Sequence, residues 1–279
     1  MVSVNTNYGA MIALQNLNST QSDLSTTENR ISTGLAVSSA KDNGGIYAIA
    51  QNLRADVGSL TAVTQSLDRA NSAVDVAISA GQSVSDLLVE MKQKAIAAAD
   101  TSLDATSRSA LNEDFKSLRD QIQTVVDNAS FNGVNLLDGK NSGTTITNIQ
   151  ALADAKQASH ITVNVENLSY GGGVLSINAS TVIDTQANAS TVAAQIDNSL
   201  ANVNKSLARL GTASKKLSLH ETFVKGLSDA LNAGIGNLVD ADLPSESAKL
   251  QSLQVKQQLG VQALSIANQA PQILLSLFR

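Results

Sequence analysis

Residues 53–95 read LRADVGSLTAVTQSLDRANSAVDVAISAGQSVSDLLVEMKQKA. Counting by sevens from the first gives Leu53, Leu60, Leu67, Val74, Gly81, Leu88 and Ala95, with Val57 and Ile78 on companion positions. A repeat of seven keeps one apolar stripe facing one partner, the seam of a coiled coil. At 1.5 Å per residue, a helix over residues 45–99 is about 80 Å long. A compact domain cannot enclose a straight helix of that length, so the spacing predicts a rod.

A second series of sevens runs through Val203, Leu210, Leu217, Val224, Leu231 and Leu238, supported by Ile196, Leu200, Leu207 and Ile235. Asp240, Asp242 and Pro244 break it, because proline disfavours helix at the residue before it. The two long helices can pack antiparallel across their seams, which brings both chain ends to one pole. The rod-seam residues are Leu53, Leu60, Leu67, Leu88, Val203, Leu210, Leu217, Val224 and Leu231. A shorter helix carries Leu111, Phe115, Leu118, Ile122 and Val125 on one face and should end near Asn128.

The ends have a different character. Positions 14, 17, 21, 24, 28, 31 and 35 alternate steps of three and four, as one face of a helix does. The last helix carries Leu250, Leu253, Val261 and Leu264, and beyond Gln251 the only charges are Lys256 and Arg279. Each end has one apolar stripe, little charge and marginal stability by itself in water. Each gains by burying its stripe against the other end and against neighbouring copies. The expected polymerisation interface is Leu14, Leu17, Leu24, Ile31, Leu35, Leu253, Val261, Leu264, Leu275, Leu277 and Phe278.

Residues 140–190 lose the heptads and gain Gly, Thr and Asn. Ile161, Val163 and Val165 alternate with polar residues, as do Leu175, Ile177 and Ala179, and Gly171–Gly173 lie between. Two period-two runs around a glycine turn predict a β-hairpin. The expected fold is mainly α: a long antiparallel coiled-coil-like helical rod with a small β-hairpin insert, both termini helical and paired on assembly.

The composition narrows the function. The 279 residues include no Cys and carry a formal charge of −5, which argues against disulfides, thiol chemistry and broad binding to nucleic acid. Ser, Thr, Asn and Gln number 96, while charged residues are 15%, below the roughly 25% usual in soluble domains. Uncharged polar faces suit contact with other copies, since burying them desolvates no ion. Residues 1–29 contain no Lys or Arg, so no cleaved secretory signal is expected, and no segment is apolar enough for membrane insertion.

Nothing in the sequence assembles a catalytic or metal site. His220-Glu221 begins like a zinc-protease motif, but Val224 stands where the second His is needed, so His220 reads as a helical surface or interface residue. His160 has no neighbouring partner, Gly171–Gly173 lack the Lys-Ser/Thr of a phosphate loop, and Asp240 and Asp242 read as a turn. No cofactor and no enzyme activity are expected.

Several motifs carry a resemblance. Val4-Asn5-Thr6-Asn7, Asn16-Leu17, Leu24-Ser25-Thr26, Arg30-Ile31-Ser32-Thr33-Gly34-Leu35 and Ser39-Ala40-Lys41-Asp42 resemble the amino-terminal signature of bacterial flagellin. Phe131-Asn132-Gly133-Val134 with Leu136-Leu137 is similar to that family's motif after its second helix. Ala267-Asn268-Gln269, Pro271-Gln272 and Leu275-Ser276-Leu277-Phe278-Arg279 are similar to its carboxy terminus. The likeness spans about residues 1–139 and 190–279.

That resemblance implies the repeating subunit of an extracellular flagellar filament. The chain would leave the cell unfolded through the flagellar type III pathway and serve swimming motility. Its implied partners are further copies of itself, the filament cap, hook–filament junction proteins and an export chaperone. Residues 1–40 and 239–279 would form the inner polymerisation domain. Residues 41–139 and 190–238 would form the rod domain, and 140–189 a short insert in place of large outer domains. A hook–filament junction protein is the nearest alternative, and its flagellin-like ends normally accompany extra domains.

One departure bears on recognition. Many flagellins carry Arg and Leu four residues apart where the innate immune receptor TLR5 docks, followed by an acidic residue on the next helix. The matching positions here are Glu90, Lys94 and Asp114. An inverted charge and a lost apolar anchor imply poor TLR5 recognition.

Overall fold

The computed structural model describes residues 6–277, with side chains as far as residue 269. Five helices dominate: α1 (Tyr8–Thr33), α2 (Gly44–Ala98), α3 (Ala105–Asn128), α4 (Gln186–Val239) and α5 (Leu243–Leu277). Between α3 and α4 lie β1 (Ser130–Phe131), β2 (Val134–Asn135), β3 (Lys140–Asn141), β4 (Thr144–Thr145), β5 (Asn148–Leu152) and β6 (His160–Asn164). The fold is mainly α with a small antiparallel β insert, as the heptads and the Gly/Thr-rich middle predict.

The helix ends have local causes. Asn7 Oδ1 accepts from the Ala10 amide at the start of α1, and Gly34 closes the helix at φ +70°, a conformation glycine adopts without strain. Asp104 caps α3 by accepting from the amides of Thr106 and Ser107. The bonds from Ser107 and Thr106 hold the Asp104 carboxyl below its usual value. Pro244 sits in the first turn of α5, where its missing N–H costs nothing, and the chain turns between α4 and α5 just before it.

The chain divides into two compact units. The first is Gly58–Ser228. Within it α2 and α4 run antiparallel: Asn71 meets Ser214 at 2.9 Å, Gly81 faces Leu207, and Lys92 pairs with Asp197 at 2.5 Å. Leu60, Leu67, Val74 and Leu88 on α2 are buried, as are Val203, Leu210, Leu217 and Val224 on α4. The glycine in the first heptad series now has a reason. A Cβ on Gly81 would lie 2.8 Å from Leu207 Cδ2, so the missing side chain is the socket for Leu207. On α3, Phe115, Ile122 and Val126 are fully buried. Arg108 closes the α2–α3 turn by donating to the carbonyls of Ala98, Asp100 and Leu103.

After α3 the segment Phe131–Leu137 becomes a knot of turns. Asn132 and Gly133 both take positive φ, +50° and +81°, as the two-residue β1–β2 turn demands. Asn135 is buried; its Nδ2 donates to Val126 O at 2.6 Å, and its Oδ1 accepts from the amides of Leu137 and Asp138. One side chain thus stitches the end of α3 to the turn beyond it. Asn135→Ala leaves the amides of Leu137 and Asp138 without their acceptor and takes one of two donors from Val126 O, which keeps the Ala129 amide, and we expect a loss of about 2 kcal/mol in urea unfolding.

The strand pairing corrects one expectation. Ile161 and Val163 do lie in a strand, β6, but its partner is β5, with Ala151 opposite Ile161 and Ile149 opposite Val163. The run containing Leu175, Ile177 and Ala179 forms no strand. Leu175 and Ile177 are buried, but the backbone beside them is bonded to α4: the Ser176 amide donates to Ser199 Oγ, and Asn202 Nδ2 donates to Val174 O. An extended segment with one face on a helix alternates as a strand does, so period two cannot tell the two apart. The hairpin loop is residues 153–159, closed by the Ala153 amide on Ser159 O and the Ala158 amide on Asp154 Oδ1.

The second unit combines Met1–Val57 with Asp229–Arg279. Val37, Ala50, Ile235 and Val239 form its core, flanked by Leu35, Ile46, Tyr47, Leu53 and Val57. Backbone bonds from Ala36 N to Val239 O (2.7 Å) and from Ala241 N to Gly34 O (2.9 Å) join the segment after α1 to the α4–α5 turn. Leu231 is half-buried in this unit.

Candidate polymerisation interface

Helices α1 and α5 pair antiparallel along their described length. Asn7 Nδ2 donates to Ala267 O at 2.6 Å, Gln257 Nε2 to Gln21 Oε1 at 2.6 Å, and Arg30 pairs with Glu246 at 2.9 Å. Gly260 lies against Leu17, where a Cβ would come within 3.2 Å of Leu17 Cδ1. These polar and small residues set the register, and none was among the interface residues read from apolar spacing. The available signal was the placement of Arg30 and Glu246, two of the few charges in otherwise charge-poor helices.

Pairing divides the expected interface residues into two sets. Leu24 and Leu253 are buried between the helices, and Leu17, Ile31, Leu35 and Leu264 are half-buried. Leu14 and Val261 stay exposed. Leu275 and Leu277 fall beyond the described side chains, and Phe278 outside the described residues. The pairing leaves further apolar side chains in solvent: Tyr8, Met11 and Ile12 on α1, and Val255, Leu259 and Ile266 on α5. Tyr8 is 75% exposed and Ile266 69%. Positions 255, 259 and 266 share one helix face, as do 8, 11 and 12, so each helix keeps a second apolar arc after meeting the other. Inside the pair, Thr27 Oγ1, Arg30 Nε and Glu246 Oε2 are buried without a hydrogen-bond partner.

The remaining residues singled out from the sequence form no chemical site. His220 Nε2 lies 2.7 Å from Ala153 O and its ring is tilted against Phe223, so it joins α4 to the hairpin loop. Among the described residues no group of three or more His, Asp or Glu could hold a metal ion, and no helix is long and apolar enough to cross a membrane. Glu90 is exposed on α2, and Lys94 reaches across to Asp114 of α3 at 2.6 Å.

The paired ends, the heptad seams and the turn after α3 coincide with known sequence families. A model of the bacterial flagellin N-terminal helical region matches residues 4–142, and one of the bacterial flagellin C-terminal helical region matches residues 193–278. The chain belongs to the bacterial flagellin family. It is 53% identical to the flagellin FljM of Caulobacter vibrioides over 277 residues, covering 99% of this chain and 98% of that one. It is 35% identical to a flagellin of Brucella melitensis over 289 residues, covering all of both chains. In fold it is similar to a solved structure from Vibrio parahaemolyticus assigned as a flagellar hook-associated protein. The TM-score there is 0.57 at 16% identity, over 71% of this chain and all of that one. This flagellin is thus a structural subunit of the flagellar filament, a polymer of its own kind in the service of motility. The stretch between the two matched regions holds the β5–β6 hairpin and the extended run on α4.

Proposed function

We propose that this flagellin polymerises through the second apolar arcs of α1 and α5. The observation that carries the reading is the pairing itself. It consumes Leu24 and Leu253 yet leaves Tyr8, Met11, Ile12, Leu14, Val255, Leu259, Val261 and Ile266 in water, on helices with little charge. Such arcs are liabilities on a monomer and contact surfaces in a polymer. The interior of the filament is then built from residues 1–40 and 239–279, with the seam helices outside it. The chain acts without catalysis or cofactor. It leaves the cell unfolded by the flagellar type III route, attended by an export chaperone, and joins the filament between junction proteins and cap. Electron microscopy after seeding purified protein tests the reading: long, uniform filaments are expected. A monomer that persists with seeds overturns it in favour of a junction protein.

TLR5 recognition should be poor. Receptor docking at this place would meet Glu90 instead of a cation, and a Lys94 already committed to Asp114. In a receptor reporter assay we expect potency at least tenfold below that of a flagellin with Arg and Leu at these positions. Glu90→Arg with Lys94→Leu should recover part of it, and equal potency of the unmodified protein would contradict the reading.

A further inference from the structure

A surface of Gly58–Ser228 also stands unpartnered. On α4, Leu219 is 63% exposed and Phe223 61%, with Leu227 four residues further. The spacing 219, 223, 227 sets the three in one row. Phe223 is braced: the His220 ring lies 5.7 Å away, and His220 is itself held on Ala153 O. An aromatic fixed in place loses little freedom on docking. Lys215 and Lys216, one turn before Leu219, are exposed and in no ion pair among the described residues.

Elsewhere on the same unit, α2 and α3 enclose an open groove of about 520 Å³. Val76, Ser79, Ala80, Ser83, Val125 and Ala129 line it with small or β-branched side chains, and Asn128 adds one amide. Asp75 stands at one end of the groove. Asp86 follows Ser83 by one turn at the other. Both are exposed and form no ion pair among the described residues. The ridge is apolar, the groove is lined mostly by small and apolar side chains, and the charges beside them are opposite in sign.

We propose that the Leu219, Phe223 and Leu227 row of one copy seats in the α2–α3 groove of the next. The proposal rests on the filament reading and adds to it a contact made by neither α1 nor α5. Ridge and groove are different patches, so the contact is head-to-tail and repeats without closing, as a filament requires. Copies in a filament share one polarity, so the antiparallel sense of α4 and α2 inside one chain carries over between neighbours. In that sense, a register that seats Phe223 at Ala80, inside the groove, brings Leu219 to Ser83 and Lys216 to Asp86 of the adjoining copy.

The absence of Cys makes the test direct. A chain carrying Phe223→Cys and Ala80→Cys is polymerised on wild-type seeds and oxidised. A covalent ladder is expected, because the two Cα atoms must come within about 7 Å for a disulfide; each single-Cys chain should give none. A second pair, Leu219→Cys with Ser83→Cys, should give the same ladder. Filaments that form normally but yield no ladder from either pair overturn the docking and leave the filament reading standing. A wild-type chain that never polymerises removes both. Should the double-Cys chains fail to assemble, charge reversal decides. Lys216→Glu should raise the critical concentration several-fold, and adding Asp86→Lys should restore it. Failure of that rescue overturns the proposal.

Discussion

Removing residues 264–279 leaves the helices of Gly58–Ser228 folded and abolishes filament growth. The buried seam of that unit draws on Leu60, Leu67, Val74 and Leu88 from α2 and on Val203, Leu210, Leu217 and Val224 from α4. None of the described residues in the deleted stretch is among them. What the deletion does remove is one end of the α1–α5 pairing: the Ala267 carbonyl that receives Asn7, the half-buried Leu264 and the exposed Ile266. Helix α1 then loses its partner over its first turns, and that unpartnered end, with few charges, frays. Circular dichroism should show a loss little larger than the deleted helix plus the start of α1, while seeded growth falls to background. Loss of most helical signal would mean that the terminal helices hold the seams together, contrary to the burial pattern.

The second large effect is expected inside the seam. Val224 and Leu217 are each 1% exposed. Val224→Asp or Leu217→Asp buries a carboxylate with no partner, which costs about 3–5 kcal/mol or forces the group to take up a proton. The urea midpoint should fall by about 2 M for a typical slope. The charged form is the one penalised, so the substituted carboxyl has its pKa raised by folding. The destabilisation is therefore smallest below the unfolded value of about 4 and grows as pH rises through the folded one. Leu217→Ala serves as control, with a smaller loss that does not vary with pH. Filament assembly should fail in the Asp variants because the subunit is unfolded, in contrast to the truncation, where a folded unit fails to assemble.

Much of this architecture is legible in the sequence because long helices repeat one simple rule. Leu60, Leu67 and Leu88 announce a seam by spacing alone, and Val203 to Val224 announce its partner. Asn128 ends α3 as expected, because the Asn-Gly turn that follows is a strong local signal. The hairpin partner was not legible. Residues 174–178 alternate as convincingly as residues 161–165, but the alternation reports only that one face is buried. The deciding contacts come from Ser199 and Asn202 on α4, remote in sequence and unremarkable in type. The register of α1 on α5 was hidden for the same reason. It is set by Asn7, Gln21, Arg30, Glu246 and Gln257, single polar residues that have no period. Apolar spacing predicts that two faces meet, and polar residues decide where.

The bond from Asn7 to Ala267 joins positions 260 residues apart in the chain. Closing so large a loop requires both ends to be present, whereas ties inside Gly58–Ser228 span 20 residues for Lys94–Asp114 and 143 for Asn71–Ser214. Whichever end of the polypeptide emerges first, Gly58–Ser228 has its own partners in hand before the terminal pair can form. We expect the α1–α5 pairing to form last, which would let it serve as a check on chain integrity. A chain cut short at either end would then present a finished Gly58–Ser228 but no completed α1–α5 pair, and a growing tip that accepts only the pair would reject fragments without a separate inspector.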